Sequence, residues 1–251
     1  MSQRKVTSVY PDTGAVSQAD PTFELSGIFD VVLSSTYVSD LDIRGALGRN
    51  RLGSYDPRLV RLDDGRLEYR DTACMAITFA RPTPNPGQWN AGDHVRIMEI
   101  AAGPDRTFMI REDGIVQHFV KAGEAHWNLS AIEDRNGTRL EFQRDSAGLI
   151  SEIKTPEGLR LEFKNDTAKG LRTSVDLVGL DGSRAQVMRY AYDANDNLTL
   201  AEAPFEDKHE YGYDGQNLQT WVRINDQFEA RLTYDGDNRC VLEQTNGAYD
   251  G

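Results

Sequence analysis

Cysteine, histidine and long apolar runs are scarce in this 251-residue chain, and each scarcity removes a class of function. The two cysteines, Cys74 and Cys240, lie far apart and neither belongs to a CxxC pair, so zinc knuckles and dithiol redox motifs are absent. They read as buried free thiols, with a single Cys74–Cys240 disulfide left open by the sequence. The four histidines, His94, His118, His126 and His209, show neither HxH nor HExxH spacing, and no metal site is expected. No stretch approaches the roughly 18 apolar residues of a membrane span. Met1 to Tyr10 has a basic start without an apolar run behind it, which is not a secretory signal peptide. The chain therefore reads as made in the cytoplasm, with any export independent of a cleaved signal. Basic charge is also in deficit, with 28 Lys plus Arg against 40 Asp plus Glu and a formal net charge of −12. Such a field repels nucleic acid and anionic bilayers. The tightest basic cluster, Arg44 to Arg51 with Arg58 and Arg61, is broken by glycines and reads as a solvated loop.

What is present is a repeat. Arg139-Leu140-Glu141-Phe142 recurs as Arg160-Leu161-Glu162-Phe163, an offset of 21 residues that Gly137/Gly158 and Asp145/Asp166 share. Asp193, Asp214 and Asp235 again stand 21 apart, each directly after a tyrosine, Tyr192, Tyr213 or Tyr234. The step from Asp166 to Asp193 is 27, which predicts a six-residue hairpin extension around Leu180-Asp181-Gly182. Asp, Asn and Gly follow each of these aspartates, and those residues tolerate left-handed backbone and bond back to nearby amides, so hairpin loops are predicted. Between the loops apolar residues alternate: Leu218, Thr220, Val222 and Ile224 share one face, as do Phe228, Ala230, Leu232 and Tyr234. Period-two alternation argues half-buried strands. One hairpin cannot bury its apolar face alone, so successive units must pair into a continuous sheet. The repeat tyrosines and phenylalanines are expected to pack inward, and no helix of more than a couple of turns is predicted.

The first half has the same texture with less regularity. Asp64-Gly65-Arg66-Leu67-Glu68-Tyr69 echoes the later units, Glu112-Asp113-Gly114-Ile115 reads as a hairpin turn, and Ile28 to Tyr37 reads as a strand. Pro82, Pro84 and Pro86 with Gly87 mark a surface loop, because proline cannot donate to a sheet ladder. A boundary near residue 122 divides the chain into a β region over 1–122 and a repeat sheet over 123–251.

Chemical motifs are weighed against this background. Asp193, Asn195 and Asn197 spell the opening of a calcium loop, but the sixth position is Leu198 and Pro204 stands where a bidentate glutamate belongs, so a turn is the better reading. No G-x-S-x-G, P-loop or G-x-G-x-x-G is present. A glycosidase pair among so many carboxylates carries no specificity. Trp89, Trp127 and Trp221 could stack on sugars, which makes a carbohydrate-binding module the alternative reading, although aromatic area is more often spent on packing. The expectation is of no catalytic residue, no cofactor and no metal, in a non-enzymatic protein.

Tyr-Asp followed by a Gly/Asn turn at a 21-residue period resembles the YD repeats of bacterial rearrangement-hotspot (Rhs) proteins, teneurins and insecticidal toxin-complex shells. Asp12-Thr13-Gly14, Phe23-Glu24-Leu25-Ser26-Gly27, Leu33 to Ser39 and Gly45-Ala46-Leu47-Gly48 resemble the domain that precedes such repeats in Rhs proteins. Where that domain has Gly-Trp-Arg, this chain reads Arg49-Asn50-Arg51, so the local packing must differ. The resemblance implies an all-β fold of antiparallel YD-repeat hairpins in a curved, partly open sheet, a partial Rhs cocoon. It further implies a structural shell fragment of a polymorphic toxin that encloses or docks another polypeptide and is linked to type VI secretion. That polypeptide would be a toxin domain, the remainder of the shell or a second copy. The chain is expected to be too short for a closed cocoon, with no toxin domain after Gly251, and its Asp56-Pro57-Arg58-Leu59 lacks the glycine of the family's Asp-Pro-x-Gly release site. An uncapped sheet edge near Val241-Leu242 is expected to recruit a partner.

Overall fold

The computed structural model describes residues 7–72, 74–79, 86–90, 94–100, 107–204 and 207–246. It is all-β: twenty-five strands and no α-helix among the described residues. Four N-terminal strands, β1 (Thr7–Val9), β2 (Val16–Ala19), β5 (Ser35–Val38) and β8 (Arg51–Gly53), form a sheet in the order β1-β2-β5-β8. Two small hairpins lie between them, β3 (Phe23–Leu25) with β4 (Val31–Leu33) and β6 (Arg44–Gly45) with β7 (Gly48–Arg49).

The predicted strand over Ile28 to Tyr37 is thus divided. Ile28 is 69% exposed, and β4 and β5 belong to different sheets. The break falls at Ser34, whose amide donates to the Ser54 hydroxyl (2.7 Å) instead of continuing a ladder.

The main sheet contains β9 (Arg58–Arg61), β10 (Leu67–Arg70), β11 (Ala76–Phe79), β12 (Arg96–Glu99), β13 (Phe108–Glu112), β14 (Ile115–Lys121), β15 (His126–Glu133), β16 (Arg139–Arg144) and β17 (Ile150–Lys154). It continues through β18 (Arg160–Asp166), β19 (Leu171–Val178), β20 (Arg184–Tyr192), β21 (Leu198–Glu202), β22 (Lys208–Tyr213), β23 (Gln219–Ile224), β24 (Phe228–Tyr234) and β25 (Cys240–Thr245). From β12 to β25 each strand pairs antiparallel with the next. The sheet branches at β15: β16 pairs with Ala131–Glu133, while β9 takes His126 and Trp127. No register joins β25 back to β9 among the described residues, so the sheet is curved and open. Residue 122, near which the sequence suggests a boundary, lies in the turn between β14 and β15, which pair in the same sheet. Pro82 and Pro84 lie outside the described residues.

The aspartates that the repeat singled out build the turns. Asp145 Oδ1 accepts from the amides of Ala147 and Leu149 (2.9 and 3.0 Å), and Asp193, Asp214 and Asp235 each do the same two and four residues on. The third residue after each, Gly148, Asp196, Asn217 or Asn238, has positive φ between 64° and 79°, which explains the glycine and asparagine preference there. Just before each aspartate the register slips by one residue, between Gln143/Arg144, Ala191/Tyr192, Gly212/Tyr213 and Thr233/Tyr234. A bulge raises the local twist, and repeating it at one end of successive hairpins curves the whole sheet.

One apolar core lies inside the curve. Val31 and Leu33 of β4 join Leu59, Leu67, Phe108, Phe119 and Trp127, and the cluster continues through Leu140, Ile153, Leu161, Val175, Tyr211, Val222 and Ala230. Phe163 is buried and Tyr213 packs half-buried against the same core, as expected of the repeat aromatics. The outer face carries exposed ion pairs such as Arg184–Glu162 and Arg189–Glu202, which contribute little each.

Candidate functional site

The tyrosine of each Tyr-Asp pair does more than fill the core. Its neighbouring bulge leaves a carbonyl on the adjacent hairpin without a ladder partner, and the phenol of the next repeat supplies one. Tyr213 Oη donates to Leu198 O (2.8 Å) and Tyr234 Oη to Gln219 O (2.8 Å), each 15 residues upstream. Arg144 and Asn165 make the equivalent bonds to Leu129 O and Ile150 O. At the 27-residue step Tyr192 reaches Arg172 O instead (2.7 Å), a span of 20. Each repeat is thereby hydrogen-bonded to its predecessor at the turn end.

The N-terminal segment lies along those same turn ends as a strap. Gly14 O accepts from Cys240 N (2.8 Å), Tyr37 Oη from Gln219 N (3.1 Å), Asp196 O from Arg49 N (3.2 Å), and Ala46 O from Arg172 N (2.8 Å). Cys240 and Gln219, 21 residues apart, are the first residues of β25 and β23, opposite the bulged Tyr234 and Tyr213. The strap therefore satisfies backbone groups that the bulges expose. Arg44 adds a forked contact to Asp196 (3.1 and 2.8 Å).

At the centre of the contact stands Arg51, fully buried on β8. Its Nε and Nη2 hold the two oxygens of Asp20 (3.0 and 3.2 Å), Nη1 donates to Tyr213 Oη (2.8 Å), and Nη2 also reaches Gln219 Oε1 (3.3 Å). The guanidinium lies 4.5 Å from the Tyr211 ring centroid and 5.0 Å from that of Tyr37. Asp20 accepts further from Tyr211 Oη (2.6 Å) and from the Ser35 hydroxyl. Burial opposes the Arg51 charge, but Asp20 and the tyrosine oxygens outweigh it and hold the group protonated well above its ordinary range. Burial and then Asp20 push the Tyr211 phenol far up, so it stays a donor. His209, buried beside this cluster, has its pKa lowered by desolvation despite Asp20 and Asp207. Every nitrogen of the Arg51 guanidinium is engaged, so the cluster clamps strap to repeats.

The sequence singled out other residues, and the structure keeps them apart. His118 Nε2 pairs with Glu133 (2.9 Å), His94 and His126 are exposed, and His209 is buried elsewhere. Among the described residues no three His, Cys, Asp or Glu side chains converge as a metal would require. Cys74 and Cys240 are free thiols, Cys240 buried and Cys74 half-buried. Asp193, Asn195 and Asn197 form the hairpin turn, with Asn197 Nδ2 donating both to Asp193 (2.9 Å) and to Asn217 of the next turn (2.9 Å). Trp127 is buried, while Trp89 and Trp221 are half-buried under the guanidinium groups of Arg111 (4.5 Å) and Arg223 (5.5 Å). Asp20 was not foreseen. Arg51 carried a signal only as the last residue of Arg49-Asn50-Arg51 and as part of the basic cluster that reads as a solvated loop, and its full burial corrects that second reading. No helix of the described residues is long and apolar enough to cross a membrane.

No family model matches the chain. It is 27% identical over 188 residues to Double-stranded DNA deaminase toxin A of Burkholderia cenocepacia (strain H111), a match that covers 73% of this chain. The chain spans only 13% of that toxin's length. Among solved structures, the TcdB2-TccC3-TEV crystal structure is similar over 92% of this chain and 19% of its own, at 8% identity and a TM-score of 0.30. A porin-like protein from Bacteroides uniformis ATCC 8492 is similar over 93% and 94%, at 9% identity and a TM-score of 0.27. The chain is thus similar to a toxin protein. The expectation of a non-enzymatic protein is corrected by this relative, which is an enzyme by name.

Proposed function

We propose that this chain forms part of the shell of an enzymatic toxin: a curved sheet of Tyr-Asp hairpins, strapped by its N-terminal segment, that encloses or docks a polypeptide of the same toxin. The observation that carries the reading is the strap bonded across successive turn ends, at Arg172, Asp196, Gln219 and Cys240. It ties an extensible array of hairpins into one wall. Similarity to a named toxin over 73% of the chain points the same way. The enzymatic activity of the larger protein would be deamination of DNA bases, as the relative's name states, and type VI secretion would be a route of delivery. The wall itself acts by excluding water and proteases from its guest.

Two measurements on the complete reading frame that contains the chain test this. Expressed in a bacterial host, it should leave an excess of deamination-type base substitutions in genome sequencing. In limited proteolysis, the guest segment should resist cleavage in the intact protein and become cleavable when Tyr192, Tyr213 and Tyr234 are all replaced by alanine. No substitutions above background, together with a guest equally cleavable in both forms, would overturn the reading.

A further inference from the structure

Several arginines along the strap and repeats present the same side-on fork, the Nε and Nη2 hydrogens, to an oxygen partner. Arg44 gives it to Asp196, Arg51 to Asp20, Arg144 to Leu129 O and Arg223 to Glu229. Arg172 of β19 differs. Its residue is only 5% exposed, yet Nε and Nη2 have no hydrogen-bond partner. Nη1 lies 3.8 Å from Asp56 Oδ2, too long for a hydrogen bond, and one face of the guanidinium covers the Phe163 ring at 4.5 Å. A buried guanidinium edge left bare is costly unless something occupies it.

The surroundings favour an anion. Arg144 and Arg58 also act electrostatically on Asp56, so three guanidinium groups share that carboxylate, with Asp145 a further acidic neighbour of Arg144. Burial lowers the pKa of both Arg58 and Arg144; Asp56 opposes the lowering at each, and Arg172 adds to it at Arg144. Gly53 borders the same place. A Cβ there would stand 2.8 Å from Asp56 Oδ2 and 3.7 Å from Arg172 Nη1, and its φ is not positive, so space and not backbone conformation calls for glycine.

We propose that the Nε/Nη2 fork of Arg172 is a binding site for an oxyanion of carboxylate or phosphate type, taken up bidentately beside Phe163. The source is a free anion or an aspartate or glutamate side chain of an enclosed polypeptide. The site itself does not depend on the shell reading; only the second source does.

The test is thermal unfolding of the chain at fixed ionic strength, titrated with sodium formate, inorganic phosphate, or N-acetyl-glutamate N-methylamide as a model of a chain carboxylate, with chloride as balance. Binding to the folded state raises the midpoint in a saturable way. The expected result is a saturable rise with formate or phosphate in the wild type, lost in Arg172→Lys, which keeps the charge without the fork. A rise with the capped glutamate as well assigns a polypeptide source, and a rise with the small anions alone assigns a free one. The Arg172 Nε–H resonance followed by ¹⁵N NMR gives a second readout that does not depend on a variant folding, and it should shift with the same saturation. Absence of any saturable response, or an equal response in Arg172→Lys, would overturn the site and leave the fork satisfied by water.

Discussion

Replacing Asp20 by asparagine isolates the charge that the clamp depends on. In the wild type the Arg51 and Asp20 side chains are 0% and 1% exposed, so neither can recruit bulk water when the other is lost. The asparagine keeps the shape and one acceptor, but it removes the negative charge facing Nε and Nη2 and sets an amide against donors from Tyr211 and Ser35. Breaking a buried pair by removing one partner typically costs about 3–5 kcal/mol, a large share of the roughly 5–15 kcal/mol that holds a domain folded. The contacts of Arg51 with Tyr213, Gln219 and the two rings survive, which places the expected loss near the lower figure, about 3 kcal/mol. Asp20→Asn combined with Arg51→Met removes both charges, and the double variant should recover at least about 1 kcal/mol relative to the sum of the single losses. Urea unfolding monitored at two probes gives these values, provided the slopes stay constant. Hydrogen exchange at Gln219 N, which donates to Tyr37 Oη, reports whether the strap opens before the repeats do. A loss below about 1 kcal/mol for Asp20→Asn, the range of solvent-exposed pairs, or strict additivity in the cycle, would refute the claim that this pair is an interior clamp.

Three further outcomes follow from the same geometry. Tyr234→Phe deletes the bond to Gln219 O and the phenol's hydrogen bond with Tyr37 and should cost about 1–3 kcal/mol in urea unfolding, with Tyr213→Phe costing more because Arg51 loses an acceptor too. Desolvation lowers the folded-state pKa of His209 below its ordinary value of about 6.5, with Asp20, Asp207 and Arg51 as its charged neighbours. The stability it contributes is therefore complete above that value and lost as pH falls through the lower, folded one; His209→Gln should flatten this slope below about pH 6.5 in paired denaturation curves. The exposed Val241 (61%) and Leu242 (47%) on β25, which pairs only with β24 among the described residues, should drive self-association at high concentration, and Val241→Lys should shift light scattering toward the monomer.

The repeat was legible because its determinants are local. An aspartate that accepts amides two and four residues on, and a Gly, Asn or Asp at positive φ one place earlier, both fit inside a six-residue window, so the repeat exposed the turns at Asp145, Asp193, Asp214 and Asp235. The six-residue insertion was legible for the same reason and appears as the lengthened β19–β20 hairpin, closed by the Gly179–Ser183 turn. The clamp was not legible. Arg51 finds Asp20, Tyr213 and Gln219 at separations of 31, 162 and 168 residues, and nothing in the composition of those segments announces the pairing. The misread strand over Ile28 to Tyr37 has the same cause, since β-branched residues favour a strand but do not say that Ser34 must turn a corner toward Ser54.

The two kinds of determinant also explain why the tyrosine and the strap occur together. A bulge before every aspartate bends the sheet, but it strands one carbonyl and one amide per repeat at the turn end. The carbonyl is answered from within the array, by the phenol of the next repeat, as at Leu198 and Gln219. The amide cannot be, because the next tyrosine is already used and offers a single donor hydrogen. It must be met from outside the array, and at Gln219 and Cys240 it is met by Tyr37 Oη and Gly14 O. At Arg172, Gln219 and Cys240 the curved hairpins thus carry a second chain segment across their ends. The phenylalanine that would pack as well as Tyr234 in the core would leave that arrangement incomplete.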